Sequence, residues 1–452
     1  MRSFSRHSAG TMIMLLALLS SPPPSMTENH PLRRDIQAYV DSEYDSLFQL
    51  YRHLHANPEL SFQEEQTAQR IQQELRNAGF EVTGNSGGHG LVGVLKNGAG
   101  PTVMIRTDLD GLPVTEQTEL AYASRVKTRD DRGTDVGVMH ACGHDIHMTC
   151  FVGTARLLSR FKDHWNGTLV LVGQPAEERG SGAKAMLAAG LFQRFPKPDY
   201  VLALHDDANL EAGKVGTVEG AALAGTSSVD LTIRGISGHG GWSYVTKDPI
   251  VLAAQTIVGL QTIVSREMRA IDPAVVTVGS IHGGTKHNII PDEVQLQLTI
   301  RFFTETVRSQ LLSSIERIAK GMAQAAGVPP GREPVMKVRE EEAIGPTVNH
   351  QELTRRVTRA MEAILEKENV VKREPVMGGE DFGYFGRTVE KIPICIFWLG
   401  AAGRVAIEES RKDGGKPLPS LHSSIFAPIP EPTIKTGVKA MTAAALDLLG
   451  KQ

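Results

Sequence analysis

Between Arg34 and Asn77 the apolar residues fall three and four apart, at Ile36, Tyr39, Val40, Tyr44, Leu47, Tyr51 and Leu54, which predicts a helix. A second helix is expected over Thr67 to Arg76, stopping at Gly79. Short runs rich in Val, Leu and Ile then predict strands at Gly90 to Leu95, Thr102 to Arg106, Thr168 to Gly173 and Tyr200 to His205. Helical spacing at Met148 to Arg160 and Gly182 to Leu191 lies between them. This alternation is that of an α/β sheet covered by helices on both faces, and ligands in such sheets bind beyond the carboxyl ends of the strands.

The pattern changes near Gly225. Strands are expected at Val229 to Arg234, Ala274 to Ile281, Glu293 to Phe303 and Pro334 to Val338, with amphipathic helices at Asp248 to Arg269 and Thr306 to Ala326. The order βαββαβ is that of a ferredoxin-like α+β unit. From Glu352 onward helix and strand alternate again, so residues 225–341 read as an insertion dividing a catalytic domain into 29–224 and 342–452. A chain of 452 residues is long enough for two domains, since single cores stop growing at about 250–300 residues.

Composition narrows the function. Lys+Arg 48 against Asp+Glu 51 gives a net charge of -3 with the two signs mixed along the chain, which argues against nucleic acid as a partner and for a small molecule. No run reaches the roughly 20 apolar residues of a membrane span. The apolar run Met12 to Leu19 behind Arg2 and Arg6, followed by Pro22, Pro23 and Pro24, resembles a secretory signal with cleavage between Leu19 and Glu28. Residues 1–28 are therefore expected to be a signal peptide and leader, and the protein to be periplasmic or secreted; a start at Met26 would make it cytoplasmic. With only Cys142, Cys150 and Cys395, disulfides do not frame the fold.

The densest chemistry lies in His140-Ala141-Cys142-Gly143-His144-Asp145-Ile146-His147. A thiolate and an imidazole two residues apart in a glycine-containing loop can face one borderline metal ion, Zn, Mn or Co, although ordinary hydrogen bonds satisfy such groups equally well. Glu177 and Glu178 follow a strand through Gln174-Pro175-Ala176. In extended chain, one would face a metal while its neighbour faces substrate as a general base, and a solvated pair is the alternative. His205 closes the strand Tyr200 to Leu204, and His422 sits in Leu421-His422-Ser423. Together these form a set large enough for two divalent ions sharing a water.

The ordered motifs Arg106-Thr107-Asp108-Leu109-Asp110-Gly111-Leu112-Pro113, His140 to His147, Pro175-Ala176-Glu177-Glu178, Gly283-Gly284-Thr285, Asn288-Ile289-Ile290-Pro291 and Gly379-Glu380-Asp381-Phe382 extend the pattern. With His205 and Leu421-His422-Ser423, they make the chain resemble the M20 metallopeptidase and amidohydrolase family, in its subgroup of aminoacylases, hippurate hydrolases and auxin-conjugate hydrolases. The resemblance implies a zinc-peptidase-like catalytic domain, a mixed sheet flanked by helices, with the insertion as a lid and dimerisation domain. It implies Cys142, His144, Glu178, His205 and His422 as ligands of two divalent ions, and Glu177 as the general base. Asp110 would orient a ligand from behind. His239 in the insertion would reach the active site across a homodimer and steady the oxyanion, while Asn288 and Arg301 would hold the substrate carboxylate. Asp108 is not assigned to the metal.

Ser243-Tyr244 and Leu298 depart from the family pattern, which leaves the shape of the substrate pocket open. The expected activity is hydrolysis of the amide bond in N-acyl amino acids or similar conjugates. Its rivals are a dipeptidase or carboxypeptidase on the same scaffold, a non-catalytic metal or peptide carrier, and a metal-free cysteine hydrolase acting through Cys142.

Overall fold

A computed structural model describes residues 32–450. The expected leader lies outside these residues. After helices α1 (Arg33–Ala56) and α2 (Glu65–Asn77) come strands β1 (Glu81–Thr83), β2 (Leu91–Asn97) and β3 (Thr102–Asp108), helix α3 (His144–Arg160), and strands β4 (Gly167–Gln174), β5 (Tyr200–Glu211) and β6 (Val215–Thr217). The insertion follows as β7 (Gly225–Arg234), α4 (Pro249–Thr262), β8 (Ala274–Gly283), β9 (Glu293–Phe302), α5 (Glu305–Ala325) and β10 (Val335–Ile344). Helix α6 (Gln351–Leu365), strands β11 (Val370–Lys372) and β12 (Ile394–Ala402), and helix α7 (Pro430–Leu449) complete the chain.

Eight strands form one mixed sheet in the order β1-β2-β4-β3-β5-β12-β6-β11. The centre is parallel, with β3 beside both β4 and β5, and β5 beside β12. Successive side chains leave a strand on opposite faces, and the two cores show it. Val103, Ile105, Leu169, Leu171, Leu202 and Leu204 pack under α1, α3, α6 and α7. Their neighbours Met104, Val170, Val172, Val201 and Ala203 meet Met186, Phe192 and Phe382 from shorter helical segments on the other face. Burial on both faces explains why these strands read as continuous apolar runs.

The insertion has its own core and a four-stranded antiparallel sheet in the order β8-β9-β7-β10. Asp248 caps α4 by accepting a hydrogen bond from the Ile250 N–H at 2.9 Å, so the helix starts one residue later than the periodicity suggests. It continues as a π-helical turn over Ile263–Glu267. By length and composition Pro249–Glu267 could cross a membrane, a feature the sequence reading overlooked; one face of α4 packs on the sheet through Leu252, Ala253 and Leu260.

Three local differences bear on function. Strand β5 runs on to Glu211, because β12 accompanies it past the end of β3, so His205 lies inside a strand rather than at its end. Helix α3 starts at His144, four residues before the expected Met148. Glu177–Arg179 form a 3-10 turn instead of extended chain.

Candidate active site

The site is built beyond the ends of β3 and β4 and beside His205 within β5. Gly143 caps α3 in the left-handed region, φ 76°, and a Cβ there would lie 2.3 Å from Asp206 Oδ2. Glycine therefore lets the chain turn from Cys142 into the helix with His144 as its first residue. His144 Nδ1 lies 2.8 Å from the Asp110 carbonyl oxygen. A carbonyl can only accept, so the proton is on Nδ1 and the Nε2 lone pair faces inward. His205 is set in the same way, its Nδ1–H donating to the Asp206 carbonyl at 2.8 Å. Its Nε2 stands 3.5 Å from Cys142 Sγ.

The Glu177–Arg179 turn is entered through Ala176 at φ 49°, a conformation that costs about 1–2 kcal/mol for a residue with a Cβ. The turn is held from below: Asp110 Oδ1 accepts the Glu177 N–H and Oδ2 the Glu178 N–H, each at 3.1 Å, while Ser61 Oγ donates to Oδ2 at 2.6 Å. As a result the two glutamates converge rather than pointing to opposite sides. His144 Nε2 lies 3.9 Å from Glu177 Oε2, 3.8 Å from Glu178 Oε1 and 3.8 Å from Asp108 Oδ2. His422, also at positive φ (66°), is anchored by its N–H on the Ala141 carbonyl at 2.8 Å and brings Nε2 to 3.5 Å from Glu178 Oε2.

The electrostatics favour a cation. Burial, with help from Glu178 and Glu177, drives the Cys142 thiol well above its ordinary value. Burial and the nearby Glu380, Glu178 and Asp381 raise Glu177 well above the usual carboxylate range, and burial with Asp110 and Asp108 raises Glu178 to about 7 against the opposing effect of His144. Burial opposes charge on His144, yet Asp108, Asp110 and Glu178 raise it to about 10. These donors would lose their protons to a divalent ion, which supplies the missing positive charge. His144 Nε2 and Glu178 Oε1 are buried without hydrogen-bond partners, as ligand atoms kept for an ion would be. Cys142, His144 and His205 have ligand atoms within 4.8 Å of one another, as do Cys142, Glu178 and His422, and His144, Glu177 and Glu178. The donor set fits two ions in adjoining positions.

A cavity of about 690 Å³ opens over Cys142, Glu177, Glu178, His205 and His422. The inserted unit contributes Arg301, Glu341 and Glu342 to its wall. His239 and Asn288 are not part of that wall. They lie together on an exposed two-stranded ribbon, Gly238–His239 against Ile289–Ile290, where the Gly240 N–H donates to the Asn288 carbonyl at 2.9 Å. Within one chain, then, Arg301 lines the cavity and its expected partner Asn288 does not.

Sequence reasoning gave no role to the support behind Glu177. Buried Arg106 reaches Asp108 Oδ2 at 2.8 Å, Glu380 Oε1 at 2.9 Å, Asp381 Oδ1 at 3.2 Å and Gln174 Oε1 at 2.9 Å. Its partners lie in motifs already noted, Arg106 to Pro113 and Gly379 to Phe382. His147 was likewise passed over: its Nδ1–H donates to Asp108 Oδ1 at 2.8 Å and its Nε2 accepts the Asp206 N–H at 2.9 Å, tying β3 to β5 beneath the metal-ligand candidates.

Residues 104–413 match the model of Peptidase family M20/M25/M40. The chain belongs to this family. An N-acetyldiaminopimelate deacetylase of Limosilactobacillus reuteri is 36% identical over 406 residues, 88% of this chain and 97% of the relative. The IAA-amino acid hydrolase ILR1-like 2 of Arabidopsis thaliana is 32% identical over 390 residues, 84% of this chain and 83% of its own. Thermostable carboxypeptidase 2 of Saccharolobus solfataricus is 34% identical over 412 residues, 90% of this chain and 96% of its own. Among solved structures, the Bacillus subtilis YXEP protein, described as a dinuclear metal binding peptidase from the M20 family, superposes with a TM-score of 0.72 at 29% identity, over 91% of this chain and 99% of that one. The M20 chain is accordingly a metal-dependent amidohydrolase, and its mixed sheet flanked by helices is the family's catalytic fold.

Proposed function

We propose that the protein hydrolyses N-acyl amino acids or closely related small amide conjugates. Cys142, His144, Glu178, His205 and His422 would hold two divalent ions, with Zn, Mn and Co as the candidates. Bound there, the ions would supply Lewis-acid polarisation of the amide carbonyl and a water acidic enough to be deprotonated near neutral pH. Glu177 takes the proton from the attacking water and passes it to the departing nitrogen, so amide and water become carboxylate and amine. Arg301, half-buried in the cavity wall, offers a guanidinium fork to the substrate carboxylate.

The observation carrying this reading is His144 Nε2, which has no hydrogen-bond partner and is surrounded by Glu177, Glu178 and Asp108 oxygens at 3.8–3.9 Å. The likeness to a deacetylase and to an amino acid conjugate hydrolase favours N-acyl substrates. The likeness to a carboxypeptidase supports a second reading, in which peptides are cut at the same site. Hydrolysis rates on N-acetyl amino acids and on dipeptides, measured side by side with Mn, Zn or Co supplied, separate the two. In the first reading Glu177→Gln keeps its metal and loses about 100- to 10,000-fold in kcat.

Two further parts belong to the proposal. His239 acts from the neighbouring subunit of a homodimer, a reading supported by its absence from the wall of its own cavity and by exposed Trp242, Tyr244 and Val245 beside it. Export beyond the inner membrane rests on the apolar run behind Arg2 and Arg6.

A further inference from the structure

The inserted unit brings acidic side chains to a cavity whose hydrolytic chemistry does not require them. In the pairing of β7 with β10, Thr226 faces Ile344 and Ser228 faces Arg339. Two steps along β7 therefore correspond to five along β10, and the surplus residues bulge out of the sheet. A bulge beside an active site re-aims side chains. This one is pinned on both flanks: Glu340 is gripped by Arg308 at 2.8 and 2.7 Å, and the Ala343 carbonyl accepts from Lys184 Nζ and Tyr384 OH, each at 2.7 Å. Between the pins, Glu341 and Glu342 are exposed and line the wall of the cavity that holds Glu177 and Glu178.

Among the described residues, the only ion pair made by either glutamate is a long one with Arg339, a guanidinium shared with Asp230. Arg339 is engaged by Asp230 at 2.6 Å and reaches Glu341 only at 3.7 Å. Arg179, which also lines the cavity, is paired with Asp131. Arg301 is the cavity's remaining cation, and among the described residues it has no carboxylate partner. Arg301, Thr226 and Ile344 are opposite one another on three adjacent strands, and all three line the cavity. At the usual strand spacing the backbones at Arg301 and Ile344 are about 10 Å apart. One wall thus carries a guanidinium at one side and, beginning two residues from Ile344, a pair of carboxylates at the other.

We infer that the preferred substrate is an N-acyl amino acid whose side chain ends in a cation, an ammonium or guanidinium, with its α-carboxylate on Arg301 and its side-chain charge at Glu341 and Glu342. The inference rests on the amidohydrolase reading and narrows it. Two carboxylates sharing one already engaged guanidinium leave this side of the wall negative, which attracts a cation and repels an acidic side chain.

The test compares kcat/KM for Nα-acetyl-lysine, Nα-acetyl-norleucine and Nα-acetyl-glutamate in the metal-loaded full chain. The lysine substrate should exceed the norleucine substrate by roughly tenfold at low salt, with the advantage shrinking as ionic strength rises. In the double variant Glu341→Gln/Glu342→Gln the ratio should fall close to one, and Glu341→Lys/Glu342→Lys should turn the preference toward the glutamate substrate. Both sites are exposed, so these variants should fold; a circular dichroism melt confirms it. Equal rates on lysine and norleucine substrates, or a ratio unmoved in the double variant, overturn the inference and leave the amidohydrolase reading standing. Failure to cleave any of the three by a protein that cleaves dipeptides overturns both.

Discussion

The backbone carbonyl of Asp110 fixes the tautomer of His144, accepting its Nδ1 proton at 2.8 Å, while the carboxylate of the same residue accepts the N–H groups of both Glu177 and Glu178. One buried residue at the end of β3 therefore aims a ring nitrogen from one segment and two carboxylates from another at a common point.

Asp110 is thus expected to set metal affinity without touching the metal. In Asp110→Ala the Glu177 and Glu178 N–H groups and the Ser61 hydroxyl lose their acceptor, and metal affinity should fall about 10- to 100-fold, the usual cost of removing a group that orients ligands. Asp110→Asn keeps one carbonyl oxygen and should fall between. Titration of the stripped variants with Zn or Mn, followed by calorimetry, measures this; unchanged affinity in Asp110→Ala would remove the residue from the site.

A pH effect on stability follows from His55. Its Nδ1 contacts Asp145 Oδ2 at 2.6 Å and its Nε2 contacts Glu116 Oε1 at 2.9 Å, joining helix α1 to the first turn of α3 and to the loop after β3. Burial disfavours its charge, but hydrogen bonds to Asp145 and Glu116 prevail and raise its pKa from 6.5 to about 10. A raised pKa means that the protonated form stabilises the fold. The contribution is complete below about pH 6.5 and is lost as pH climbs towards about 10. The melting temperature of metal-loaded wild type should exceed that of His55→Gln most at pH 6, with the gap narrowing by pH 10. A gap independent of pH would show that His55 acts by packing alone.

Much of this site was legible because ligand chemistry is local. Cys142 and His144 are two residues apart and Glu177 and Glu178 are adjacent, so residue type and spacing pointed to them. Their geometry was not legible. Apolar periodicity places the start of α3 at Met148, since it cannot register that Gly143 in the left-handed region allows the helix to begin at His144. Nor does it reveal that Asp110 folds Glu177 and Glu178 into a turn. The Arg106 cluster joins positions 274 residues apart in the Arg106–Glu380 pair, a contact decided by sheet order and invisible to local pattern. The insertion's element order was readable from periodicity, whereas the bulge in β10 was not, because Glu340, Glu341 and Glu342 look like any solvated strand end.

The placement of His239 leads to a test of assembly. Its ring sits on an exposed ribbon, Nδ1 accepting the Gly241 N–H at 3.0 Å, outside the cavity of its own chain. Mixing inactive His239→Ala protein with inactive Glu177→Gln protein should restore activity through hybrid dimers in which one site is intact, up to about a quarter of wild type if subunits exchange at random and each site works independently. Native mass spectrometry would establish that heterodimers are present. No recovery in their presence would mean that His239 does not serve a neighbouring subunit.

The central claim is that two divalent ions at the Cys142, His144, Glu178, His205 and His422 cluster drive amide hydrolysis. The most direct measurement is the rate of N-acetyl amino acid hydrolysis as metal equivalents are returned to the stripped protein. Activity should be absent without metal, rise with added Mn, Zn or Co, and level off at two equivalents per chain. Full activity in the stripped protein would contradict the account.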